Sequence, residues 1–102
     1  MKAILTMKDR SLVWSEVPTP QIGGNEVLIK VAYAAVNRAD LMQREGSYPP
    51  PKGCPEWMGL EVSGTVVAAG ESALRAGAVI GEEVCALLGG GGYAEYVAVR
   101  YD

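Results

Sequence analysis

The chain contains no histidine. Histidine is the side chain whose ordinary pKa lies nearest neutrality and a common metal ligand, so histidine-dependent triads and histidine metal sites are excluded. Cysteine is scarce, with two in 102 residues: Cys54 between Gly53 and Pro55, and Cys85 inside the apolar run VCALL. That pattern suggests no disulfide framework. Cys85 is expected in the core, because free cysteine is among the most buried residue types. No run of about 18 apolar residues occurs, so no membrane-spanning helix is expected. The apolar start of MKAILTMKDR is too short for a secretory signal and is followed directly by Lys8 and Arg10. A soluble, cytoplasmic chain with no membrane partner is the expectation. The 9 basic and 12 acidic residues, net charge -3, are scattered. Without a basic stripe the chain lacks the electrostatic footprint of a nucleic-acid binder.

A chain of this length buries roughly 65% of its unfolded surface, enough for one core and one domain. Alternation at a period of two dominates, the mark of half-buried strands. Residues 1–7 and 11–17 are expected to pair as a hairpin across the polar KDR turn. Pro18, Pro20 and the Gly23-Gly24 pair then open a loop. Residues 26–36 (EVLIKVAYAAV) predict a long strand with much of both faces covered. Residues 60–69 alternate cleanly, with Gly64 in the strand interior marking a bulge, a bend or a close backbone approach. Residues 68–83 (AAGESALRAGAVIGEE) are expected as a turn. Residues 83–88 and 93–99 predict two further strands joined as a hairpin across GGGG. One helix has a start signal, near residues 38–45. Asn37 can cap it, Asp40 is a capping-box-like partner, Val36 and Leu41 form a staple, and Gly46 can close it. Many short strands and one short helix predict a mainly β fold, a closed or nearly closed barrel.

GGGGYA at 89–94 formally fits the dinucleotide fingerprint, but YAEYVAV continues as a strand where that motif needs a helix start. Asp40 and Glu61 form a conceivable acid/base pair, against the plainer readings of a capping residue and a solvated strand face. Tyr48, before three prolines, either packs on them or offers a phenol donor to a substrate oxygen.

Four segments in order, MKAILTM…EVLIKVAYAAVN, VNRADLMQREGSYPPP, MGLEVSGTVVAAGE and ALLGGGGYAEYVAV, resemble the N-terminal part of the medium-chain dehydrogenase/reductase superfamily. The branch they most resemble is the zinc-independent, zeta-crystallin-like quinone oxidoreductases. The resemblance implies a GroES-like, partly open β-barrel catalytic domain over 1–102, with a C-terminal Rossmann cofactor-binding domain absent from this chain. Zinc-dependent relatives carry a cysteine in place of Asn37 and a histidine in place of Leu60. An amide and an isobutyl group cannot replace those ligands, so no zinc is expected. The implied reaction is hydride transfer from NADPH, held mainly by the other domain, to a quinone or similar electron-poor carbonyl. The resemblance assigns Asn37 and Tyr48 to catalysis, Asn37 and Met42 to the nicotinamide, and Arg38, Asp40 and Tyr48 to the substrate cleft or its loop order. It also implies a homodimeric complete enzyme. The alternative is a non-enzymatic GroES-like module, either oligomerising and chaperone-like or structural and crystallin-like.

Overall fold

The computed structural model describes residues 1–7, 9–38, 41, 44 and 57–101. Strands β1 (Lys2–Thr6) and β2 (Leu12–Glu16) form the expected antiparallel hairpin, with Lys2 opposite Glu16 and Thr6 opposite Leu12. Strands β3 (Glu26–Ala34), β4 (Glu61–Ala69), β5 (Glu83–Leu87) and β6 (Tyr96–Arg100) form a second antiparallel sheet in the order β5-β4-β3-β6. The two sheets meet at the Ala3–Ala94 bridge, where the Ile4 N–H donates to the Tyr93 carbonyl at 2.8 Å. They do not close into a barrel, so the fold is the partly open form of the expected architecture.

The alternation seen in the sequence becomes one buried face. Ile29, Val62 and Val66 are fully buried and pack with Val27, Val97, Ala73 and Ala78. Burying a side chain of this size contributes roughly 1.5–3 kcal/mol, so these few valines and one isoleucine dominate the core. Gly64 lies opposite Val31, and the register slips between Val31 and Tyr33, so the expected irregularity at this glycine is present as a bulge on the partner strand.

Three expectations are corrected. The stretch 68–83, expected as a turn, contains a helix, α1 (Glu71–Arg75), whose Ala73 faces the core. It ends in a Schellman motif: Ala78 N–H donates to Ala73 O (3.0 Å) and Gly77 N–H to Leu74 O (3.2 Å), with Gly77 at φ +112. Five residues are too few to display a helical period, which is why alternation in the flanking strands overshadowed it.

The glycine run does not close a hairpin, since β5 and β6 occupy opposite edges of the four-stranded sheet. Its residues instead dock on the segment before β4: Gly91 N–H donates to Trp57 O (2.8 Å), Gly92 N–H to Gly59 O (3.0 Å) and Tyr93 N–H to Met58 O (2.9 Å). A Cβ on Gly59, itself at φ +114, would stand 2.5 Å from the Tyr93 nitrogen, so the close approach requires glycine there. The rejection of the dinucleotide fingerprint holds, because strand β6 follows the run and no helix does.

Cys85 is exposed, not core. It lies on an edge strand whose Val84 and Ala86 pack on the core, leaving Cys85 and Leu87 on the other face. An apolar run looks buried on both faces in sequence, but an edge strand here covers only one.

Candidate active site

The antiparallel ladder of β3 and β4 brings the end of one strand to the start of the other, with Ala34 opposite Val62. Beyond it, the Ala35 N–H donates to the Glu61 carbonyl at 3.0 Å. The Tyr93 hydroxyl donates to the Ala35 carbonyl at 3.3 Å, so the backbone at Ala35 is held from both sides. Two residues later comes Asn37, half-buried and directly before the helical Arg38, the position of an N-cap. Its Nδ2 donates to Glu61 Oε1 at 3.4 Å, a long hydrogen bond. A carboxamide and a carboxylate therefore meet at one end of the sheet.

Beside this pair is a depression of about 240 Å³ lined by Tyr33, Ala35, Glu61, Ser63 and Cys85, among others. It adjoins a larger one of about 400 Å³ that continues past Ser63 and Cys85 to Thr65 and Glu83. The rim is apolar and uncovered: Tyr33 is 78% exposed, and Val36 and Leu87 are each 81% exposed. Val36 is therefore not covered by Leu41, and the expected staple is not formed. The cause is local: β3 ends at Ala34, so residues 35–37 are no longer strand and Val36 has left the core-facing alternation.

Of the residues singled out in the sequence, the structure brings Asn37 and Glu61 together. Arg38 is exposed, and Arg38, Leu41 and Arg44 are helical, in agreement with the helix expected near 38–45. Asp40, Met42, Tyr48 and Cys54 lie outside the described residues. Tyr93 was missed as a contributor. It sits within the glycine run's strand-like flank, and nothing local in the sequence tells that its hydroxyl reaches a carbonyl 58 residues away.

The chemistry of the site is hydrogen bonding. Among the described residues no group of three histidine, cysteine, aspartate or glutamate side chains is gathered as metal ligands would be. Asn37 and Glu61 offer N–H donors and carboxyl and amide oxygens beside an exposed apolar rim.

Comparison with known proteins places the fold. Residues 23–102 match the alcohol dehydrogenase GroES-like domain, and the chain belongs to that family, within the medium-chain dehydrogenase/reductases. Over 73 residues it is 42% identical to the acryloyl-coenzyme A reductase of Sulfurisphaera tokodaii, covering 72% of this chain and 21% of the relative. The quinone oxidoreductase of Coxiella burnetii superimposes with a TM-score of 0.80 at 32% identity, covering 98% of this chain and 34% of that one. The quinone oxidoreductase of Thermus thermophilus, solved also in complex with NADPH, gives a TM-score of 0.73 at 31% identity, covering 99% of this chain and 30% of that one. The chain thus spans about a fifth to a third of the length of these relatives. The relatives are oxidoreductases.

Proposed function

We propose that the chain is the GroES-like part of an oxidoreductase that passes hydride from NADPH to a quinone or similarly electron-poor carbonyl, without zinc. The observation that carries this reading is the Asn37–Glu61 pair at the end of the β3–β4 ladder, bordered by an exposed apolar rim. A carboxamide and a carboxylate supply neither the thiolate nor the imidazole of a catalytic zinc set, whereas they suit hydrogen bonding to a nicotinamide carboxamide. The solved quinone oxidoreductases of similar fold, one with NADPH, support the cofactor and acceptor class.

NADPH supplies the hydride when bound. In this reading Asn37 holds the nicotinamide end, and Met42 adds apolar surface beside it. Arg38 and Asp40 order the loop, and Tyr48 donates to the oxygen on which negative charge develops. A quinone already accepts electrons readily, so alignment and such a donor can substitute for a Lewis acid. Tyr33, Val36 and Leu87 await a covering surface, and a Rossmann domain outside residues 1–102 supplies it, excluding water from the reacting atoms. The complete enzyme is then a cytoplasmic homodimer.

Steady-state NADPH oxidation by the full-length protein with ortho- and para-quinones is the test. Quinone-dependent turnover that survives metal chelation is expected, and no quinone-dependent turnover overturns the reading. The similarity to an acryloyl-coenzyme A reductase favours one second acceptor class, an activated alkene in an α,β-unsaturated thioester. Turnover with that acceptor and none with quinones would move the assignment to it.

A further inference from the structure

The turn between β1 and β2 is held by more hydrogen bonds than closing a hairpin requires. The Met7 N–H donates to Ser11 O at 2.8 Å and the Arg10 N–H donates to Met7 O at 2.9 Å, which closes it. Asp9 Oδ1 also accepts from the Ser11 N–H at 3.0 Å and from the Ser11 hydroxyl at 2.6 Å. Within this turn Arg10 stands at φ +67, the one non-glycine in the left-handed region among the described residues. Glycine or asparagine takes up that conformation with less strain than arginine does. The Arg10 carbonyl has no part in closing the turn, and it accepts from Arg44 Nε at 3.0 Å.

Arg44 belongs to the segment that leaves the Asn37 corner. Arg38, Leu41 and Arg44 are helical, and Arg38 follows Asn37 directly, so one end of the segment is fixed by chain continuity with β3. A single attachment leaves rotation about that point. The bond from Arg44 to Arg10 is a second attachment, made to a turn of the other sheet.

We propose that Arg44 is a positioning residue: through the Arg10 carbonyl it ties the segment beyond Asn37 to the β1–β2 turn and so fixes how that segment faces cofactor and acceptor. The site half of this inference rests on the reading given under Proposed function, which gives roles to Arg38, Asp40, Met42 and Tyr48. Arg10 contributes its backbone and not its side chain. Arg44 contributes reach and one N–H, since the bond is to Nε and the guanidinium has no carboxylate partner among the described residues.

Glutamine carries its amide nitrogen as many bonds from Cα as arginine carries Nε, so Arg44→Gln keeps a donor and discards the charge. Arg44→Met keeps the length and discards both. Arg10→Gly keeps the carbonyl and relieves the strain at φ +67. In the full-length protein, kcat/KM for NADPH-dependent quinone reduction, measured well below the melting temperature, is expected to fall about 3- to 5-fold in Arg44→Met, the worth of one exposed hydrogen bond. It should stay within about 2-fold of the parent in Arg44→Gln and in Arg10→Gly, and Arg10→Gly should melt no lower than the parent. The bond itself is read in the Nε–H spectrum of the 15N-labelled chain, which has five arginines, with Arg44→Gln assigning the resonance of interest. That resonance is expected to move in Asp9→Ala, which loosens the turn without touching Arg10 or Arg44, and to stay near its place in Arg10→Gly.

An Arg44 Nε–H that does not respond to Asp9→Ala overturns the tether. A kcat/KM in Arg44→Met equal to the parent's overturns the positioning role. A loss in Arg44→Gln or Arg10→Gly as large as in Arg44→Met overturns it as well, since the effect would then belong to a charge or to the Arg10 side chain. A parent protein without quinone-dependent turnover overturns the functional reading and the site half together, while the Nε–H spectrum still decides whether the turn holds Arg44.

Discussion

Gly64 is the residue whose replacement the structure penalises most directly. It lies in β4, one of the two central strands of the β5-β4-β3-β6 sheet, opposite Val31. A Cβ at this position would stand 2.1 Å from the Lys30 carbonyl oxygen and 2.9 Å from Ile29 Cγ2. Backbone would have to retreat by about 0.9 Å to reach 3.0 Å, below which real Cβ contacts are essentially never found. Such a shift forces overpacking that costs roughly 1–3 kcal/mol, and it stretches neighbouring ladder hydrogen bonds worth about 1 kcal/mol each. A total near 3 kcal/mol is a large part of the roughly 5–15 kcal/mol that holds a chain of this size folded. Thermal unfolding followed by circular dichroism should therefore place Gly64→Ala about 12–24 °C below the parent, at ~4–8 °C per kcal/mol. Gly24→Ala is the control: its Cβ would meet only Ser72 Oγ at 3.7 Å, an ordinary contact. Its effect should stay within about 1 kcal/mol, since the loss of unfolded-state freedom favours alanine where the conformation permits it. A Gly64→Ala melting point within ~3 °C of the parent would refute the argument that this strand pair is too close for a side chain.

Three further outcomes follow from packing and charge. Val66, fully buried, should lose about 2 kcal/mol on truncation to alanine, whereas Val67→Ala, at a partly exposed position in the same strand, should lose under about 1 kcal/mol; urea midpoints of the two compare them. Cys85 should react with a thiol reagent in the native state of a Cys54→Ser background, and protection until denaturant is added would contradict its exposed position on β5. The Glu16 carboxyl is held below its ordinary range by its hydrogen bond from Lys2 and then by the attraction of that ammonium, so its folded pKa lies under its unfolded one. Its contribution is complete above the unfolded value and is lost as pH falls through the folded value, so an NMR titration of Glu16 should have a midpoint that rises in Lys2→Ala.

Most of the strands were legible because runs such as residues 60–69 alternate apolar and polar residues, and period-two alternation is a property of neighbouring residues. Pairing is not. Whether VCALL and YAEYVAV form a hairpin depends on where the chain goes between them, and the four glycines permit a tight turn and a docked crossover equally well. What selects the crossover is Gly59 and Trp57, some thirty residues earlier, accepting the N–H groups of Gly92 and Gly91. The same limit explains Cys85 and Val36. Both look buried by composition, and both are uncovered because one lies on an edge strand and the other lies past a strand end. For the site, Asn37 and Glu61 were each visible as residues with a structural reason to be present. Their contact was not, because it is set by the register of β3 on β4, in which a one-residue slip would put Glu61 out of reach.

That register gives the site its physical logic. Asn37 lies beyond the end of β3, where the backbone has left the sheet, and its carboxamide meets the Glu61 carboxylate there. That contact is placed by the β3–β4 ladder, the most extensive pairing in the sheet. The core valines and Ile29 fix that ladder, the Ala35–Glu61 backbone hydrogen bond carries its order one residue past its end, and the Glu61 carboxylate carries it to Asn37. Burial on one face of the sheet thus sets where Glu61 stands relative to Asn37, and the bulge at Gly64 lies within the same ladder. A substitution that loosens the core without unfolding it, such as Val62→Ala, should accordingly move the side-chain amide resonances of Asn37, since the Asn37–Glu61 contact lies at the end of this chain of contacts.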